Sequence, residues 1–130
     1  MTDIDYILDL LDCNNSIQNQ TKGLELAKNI RCLSGFVMPR STDNYQNKWA
    51  NCARVLAERP DEELQWCLHK LFEWLQYPEE AGSGIIRDRL KKYEKNGIFM
   101  MDIEHAKKEM KALNEEKVLA ILCEISLEEA

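Results

Sequence analysis

Apolar residues recur three and four positions apart along almost the whole chain, which is the spacing of one helix face. No strand-like alternation competes with it. Seven helices follow from these stripes and from the residues that flank them. The first spans about 3 to 12, with Ile4, Ile7, Leu8 and Leu11 on one stripe. Asn15 and Gln18 read as a capping box for a second helix over about 16 to 31, carrying Ile17, Leu24, Ala27 and Ile30. Asp43 and Gln46 cap a third, to about 57, striped by Trp49, Cys52, Ala53 and Leu56. Pro60 suits a first helical position, and Asp61, Glu62 and Glu63 place negative charge where the helix dipole favours it. The fourth helix, to about 76, has the strongest stripe: Leu64, Cys67, Leu68, Leu71, Phe72 and Leu75. Trp66 and Trp74 fall on a second face of it, so it is expected to be covered on two sides.

Pro78, Glu79 and Glu80 repeat the start signal for a fifth helix with Ile85, Ile86, Leu90 and Tyr93, stopped by Asn96-Gly97. A sixth covers about 98 to 112 through Phe99, Ile103, Ala106 and Met110, with Leu113 at its end. Asn114, Glu115 and Glu116 open the last, which carries Val118, Ile121, Leu122 and Ile125. Short connections make consecutive helices antiparallel neighbours. A central helix apolar on two faces suits the middle of a layered array, so the expected fold is all-α, a short HEAT-like stack of antiparallel helical hairpins. Residues 1–130 are expected to form a single helical domain. The longest non-periodic stretch, 32–43, holds Phe36, Val37 and Met38, expected as an exposed apolar loop that could mediate self-association.

Composition narrows the function classes. With 130 residues, 45% hydrophobic and 31% charged, the chain has enough material for one real core. A net charge of -6 and a pI of about 5.0 repel phosphate backbones and anionic lipid, so neither nucleic acid nor membrane is an expected partner. The opening carries Asp3, Asp5, Asp9 and Asp12, unlike the cationic start of a signal peptide, and a cytoplasmic location is expected. Five cysteines lack any C-x-x-C pair; Cys52 and Cys67 fall on apolar stripes and read as core residues.

Candidate chemistry is thin. Asp102, His105 and Glu109 share a helix face, but a di-iron bundle needs two Glu-x-x-His pairs, and Trp66 stands three before His69. A solvated face is the better reading. Cys67 and His69 point about 200° apart on a helix, which defeats a thiolate–imidazole pair. Gly82-Ser83-Gly84 lacks the strand and lysine of a phosphate loop and reads as a tight packing point. Arg87, Arg89, Lys91, Lys92 and Lys95, with Lys107, Lys108 and Lys111 beyond, are interleaved with acids and read as solvated faces. No catalytic residue, cofactor site or metal site is expected, and the chain is not expected to be an enzyme. Trp49, Trp66 and Trp74 are expected in the core.

Acidic residues concentrate between Asp61 and Glu80. In a hairpin the end of helix four lies beside the start of helix five. Glu73, Tyr77, Glu79 and Glu80 are therefore expected to cluster, with Glu62, as a partner-binding patch for a basic protein surface.

The stretch Leu71-Phe72-Glu73-Trp74-Leu75-Gln76, continuing through Gly82 to Ile85-Ile86-Arg87-Asp88-Arg89-Leu90, resembles a family of small bacterial HEAT-like helical proteins. Trp49-Ala50-Asn51-Cys52-Ala53 and Asp61-Glu62-Glu63-Leu64 are similar to the helix pair that precedes this motif in the family. The family is itself similar to immunity proteins of bacterial toxin systems. The resemblance covers about 5 to 125. It departs at Glu79-Glu80-Ala81-Gly82-Ser83, where the family turn would read Asn-Trp-Pro-Gly-Ala and only the glycine is kept. The resemblance implies a protein-binding module, an immunity-type inhibitor that neutralises a basic toxin by occluding its surface. A helical adaptor or self-associating protein is the alternative.

Overall fold

The helix starts and stops are set by individual side chains, and several lie away from the positions that the sequence suggests. The computed structural model describes residues 4–39, 45–77 and 80–127. Helix α1 covers Ile4–Leu10 and α2 covers Ile17–Ala27. Ser16, not Asn15, caps α2: its backbone is extended and its Oγ accepts from the Asn19 amide at 3.1 Å. Asn15 instead accepts from the Ser16 amide and the Asn19 side chain. A 3₁₀ turn at Leu33–Phe36 and another at Tyr45–Lys48 precede α3, Trp49–Ala57. Asp43, the expected cap of that helix, lies outside the described residues.

The stretch after α2 is not an exposed apolar loop. Leu33, Phe36, Val37 and Met38 are buried, and the Pro39 carbonyl accepts the Trp49 indole N–H at 2.9 Å. A 3₁₀ turn carries side chains on three sides over very few residues, so this segment fills core without showing the periodicity of a longer helix.

The expected fourth helix is three pieces in one run. Helix α4, Asp61–Leu64, leads through a 3₁₀ turn at Gln65–Cys67 into α5, Leu68–Trp74. Pro60 stands one position before the helix, as its extended N-cap. Helix α6 covers Ser83–Lys91, starting after Gly82 rather than at Pro78; Pro78 and Glu79 lie outside the described residues. Asn96 opens a helix instead of closing one, because its side chain accepts from the Phe99 amide at 2.9 Å and Gly97 begins α7, Gly97–Ala112. The roles are exchanged at the far end too. Asn114 takes a left-handed φ of 58° and the Glu115 amide donates to the Met110 carbonyl at 2.9 Å, which closes α7. Helix α8 covers Glu116–Leu127. With α4, its 3₁₀ turn and α5 counted as one, the described residues form an all-α arrangement of seven helical segments, with no strand among them.

These segments bury one contiguous apolar cluster that runs from Ile7 to Ile125. Helices α1 and α2 pack together, as do α7 and α8, both as expected of sequence neighbours. The middle of the chain pairs differently, with α3 chiefly against α6, α5 against α7, and α6 against α8. The centre is aromatic: Trp49 and Trp74 meet edge to face at 5.8 Å, and Tyr93 stacks on Phe99 at 4.6 Å. Gly82 allows the chain to turn back beside them. Its φ is +88°, and a Cβ there would come within 2.9 Å of Ala53 Cβ, the Trp49 carbonyl oxygen and Trp74 Cζ2. The Gly-Ser-Gly segment is thus the packing point expected, set by Gly82 alone, since a Cβ on Gly84 meets nothing.

Polar side chains tie the segments together. Arg59 donates to the Ala27 and Ile30 carbonyls at the end of α2, and pairs with Glu63 at 3.2 Å. Arg89 does the same one helix on, donating to the Ala57 and Arg59 carbonyls at 3.1 and 2.8 Å and to the Asp61 carboxylate at 2.5 Å. Asp61 also accepts from the Glu94 amide, and its carbonyl accepts from the Tyr93 hydroxyl. Buried Asn51 bridges the Leu11 carbonyl and the Gln20 side chain, and buried Lys48 pairs with Asp9.

Two substitutions test this account by urea unfolding. Gly82→Ala combines a left-handed backbone with three close contacts and is expected to cost about 2–4 kcal/mol. Arg89→Met leaves Asp61 and two helix-end carbonyls without their shared donor. Because Asp61 keeps 27% exposure, the expected loss is about 2–3 kcal/mol, below that of a fully buried pair.

Candidate functional site

Of the residues expected to form an acidic patch, the structure brings some together and separates others. Glu62 is exposed in the first turn of α4. Glu73 is exposed on α5, and Tyr77 follows the helix with 40% of its surface open. Glu80 is half-buried, held next to Tyr77 by a backbone bond from its amide to the Tyr77 carbonyl at 2.9 Å. Glu79 lies outside the described residues. Glu73, Tyr77 and Glu80 therefore occupy one end of α5, while Glu62 stands at the other end of the same run.

The apolar stripe runs on across the 3₁₀ turn between α4 and α5: Leu64, Cys67, Leu68, Leu71, Phe72 and Leu75 are all buried. Trp66 stands two residues after Leu64, about 200° round a helix, on the side away from that stripe. Cys67, with φ of -128°, remains in the core, and Trp66 is turned into solvent at 83% exposure. This overturns the expectation of a third core tryptophan; Trp49 and Trp74 are buried at 3% and 0%. Glu62 and Glu63 stand four and three residues before Trp66, and both are exposed.

Beyond Trp66, α5 forms one wall of a groove of about 330 Å³ whose other wall is α7. His69 and Glu73 line it from α5, Gln76 from the turn that follows, and Asp102, His105 and Glu109 from α7. Phe72, Ala106 and Met110 form an apolar floor, each nearly buried. His105 Nε2 stands 2.9 Å from Glu109 Oε1, as their spacing on one helix face allows. Both histidines of the chain thus meet in one groove, which sequence spacing could not reveal because they belong to different helices. Among the described residues no group of three or more histidine, cysteine, aspartate or glutamate side chains is placed to hold a metal ion.

The basic run is largely engaged within the fold. Arg89 holds helix ends, Lys91 pairs with Glu124, and the Lys95 ammonium donates to the Lys91 carbonyl. On the next helix, Lys107 donates to Ser126 and Glu104. Among the described residues no helix is long and apolar enough to cross a membrane.

The thiols divide by environment. Burial pushes Cys52 up to about 12 and Cys67 up to about 11. Cys32, exposed before its 3₁₀ turn, is lowered by hydrogen bonding to Ser34, whose Oγ lies 3.1 Å from its Sγ. Iodoacetamide near pH 8 is therefore expected to alkylate Cys32 early, while Cys52 and Cys67 react only under denaturant. Peptide mapping by mass spectrometry reads the order; early labelling of Cys52 would contradict the packing described here.

No protein-family model matches the chain, and neither a curated protein nor a solved structure was found to match it.

Proposed function

We propose that the chain is a protein-binding helical scaffold of cytoplasmic location, without catalytic activity, and that it docks a basic partner protein on the outer side of the α4–α5 run. The observation that carries this reading is Trp66, 83% exposed between acidic residues while the other two tryptophans are buried. An exposed indole sacrifices a large hydrophobic gain, and tryptophan is enriched among the residues that dominate binding energy at interfaces. Glu62 and Glu63 upstream, and Glu73, Tyr77 and Glu80 downstream, surround it with acceptors for lysine and arginine. A net charge of -6 favours rapid encounter with such a surface.

The resemblance to immunity-type proteins gives this scaffold its most specific role, an inhibitor that occludes the working surface of a basic toxin. The pairing of α5 with α7 and of α6 with α8 supports a HEAT-like stack over that half, since each helix of one hairpin lies against its counterpart in the next. The alternative of self-association through residues 32–43 draws little support from a segment whose Phe36, Val37 and Met38 are buried.

Capture from the native lysate, at low and high salt, tests the reading. The expected result is a basic protein retained in stoichiometric amount and released as salt rises past about 0.5 M, where charge interactions reach only about 4 Å. Trp66→Ala should weaken that complex about 30-fold or more, the effect of losing an interface anchor. Its own unfolding midpoint should stay within about 0.5 kcal/mol of the parent. A Trp66→Ala protein that binds the same partner with undiminished affinity would overturn the proposal.

A further inference from the structure

The groove between α5 and α7 differs in charge from the three other described grooves. Those carry Arg89 and Lys92, Lys28 and Arg59, or Lys108 beside their carboxylates. This one has Glu73, Asp102 and Glu109 and neither lysine nor arginine. Its floor is apolar and continuous with the core. Negative walls above an apolar floor suit a side chain with a hydrocarbon stem and a cationic head.

We propose that this groove receives an arginine side chain of the partner protein, an inference that rests on the docking reading above. Phe72, Ala106 and Met110 would take the aliphatic stem. Glu73 on α5 and Asp102 on α7 stand on opposing walls, and a guanidinium carries donors on two edges in a rigid plane, so one arginine can bridge both. The point charge of a lysine ammonium on a flexible stem matches two-walled acceptors less well. Glu109, engaged with His105, adds negative potential at the rim. The partner's arginine, held at Glu73, would thus be seated about two helical turns from Trp66 on the same run, and the indole and the groove would read neighbouring parts of one surface.

The two histidines make the test direct, because both line the groove and the chain has no others. Their imidazole C–H resonances are followed by NMR during titration of the full chain with acetyl-Gly-Arg-Gly-amide. Parallel titrations use the lysine peptide and the peptide with citrulline, which keeps the shape of arginine and lacks its charge. The expected result is a saturable shift of both imidazole signals with the arginine peptide, at least fivefold weaker apparent affinity for lysine, and no saturable shift with citrulline. The Glu73→Gln, Asp102→Asn double variant, checked for an unchanged circular dichroism spectrum, should lose at least tenfold in affinity for the arginine peptide.

Equal response to citrulline, an unaffected double variant, or no saturable shift up to about 10 mM, beyond the range of useful single-side-chain affinity, would each overturn the groove assignment. Movement of the Trp66 indole signal with silent imidazoles would also overturn it, while leaving the docking reading in place. Failure of that reading is seen separately, in the capture experiment with Trp66→Ala.

Discussion

The Asp61–Arg89 pair is the constraint on which the rest of the structure depends. Asp61 is the first residue of α4, so its carboxylate sits where the helix dipole already favours negative charge. Arg89 reaches it from α6 and also takes the two carbonyls left open where α3 ends. The same aspartate receives the Glu94 amide and, through its carbonyl, the Tyr93 hydroxyl, fixing how the chain leaves α6. Tyr93 then stacks on Phe99 and so sets the entry to α7. One ion pair thus determines the positions of α3, α4, α6 and α7 together, and the groove inherits its walls from that arrangement.

Most of the fold was legible in the sequence because burial follows periodicity. The stripes assigned to six of the seven segments contain pairs that are buried: Ile7 and Leu11, Cys52 and Leu56, Leu64 and Leu71, Ile86 and Leu90, Ile103 and Met110, Leu122 and Ile125. On the second segment's stripe only Ala27 is buried, and Ile17 is 80% exposed. Two of the boundary errors have a common cause. Asparagine accepts from a helix's first amides and also tolerates the left-handed conformation that ends one, so Asn96 and Asn114 carry both meanings in sequence. The structure resolves each by its neighbours: Asn96 accepts from Phe99, and Asn114 is followed by an amide that reaches back to Met110. Phe36, Val37 and Met38 were misjudged for a different reason, since a short 3₁₀ turn ending at Phe36 and the irregular residues just after it are buried without any periodic signal.

The candidate site was legible only in its charge. Glu62, Glu73 and Tyr77 are exposed as expected, but Glu62 stands at the opposite end of the run from the other two. Trp66 was assigned to the core because it and Trp74 read as a second apolar face, covered like the first. Only Trp74, beside the main stripe, is covered; Trp66 lies about 200° from Leu64, and no described element packs over it. That His69 and His105 line one groove depends on α5 packing against α7, a pairing between elements separated by a whole helix, and spacing along one chain segment does not encode it.

The polar bridges described above share a length scale. Arg59 reaches back 29 and 32 residues, and Arg89 reaches 28 to 32. Asn51 and Lys48 reach back 40 and 39, and Lys91 pairs with a residue 33 ahead. Each span covers about one helical hairpin, so closing any one of these loops carries a modest entropic cost. Folding of such a chain does not wait on a long-range encounter between its first and last helices. Order can spread from a single hairpin to its neighbours, and rapid assembly is built into the topology itself.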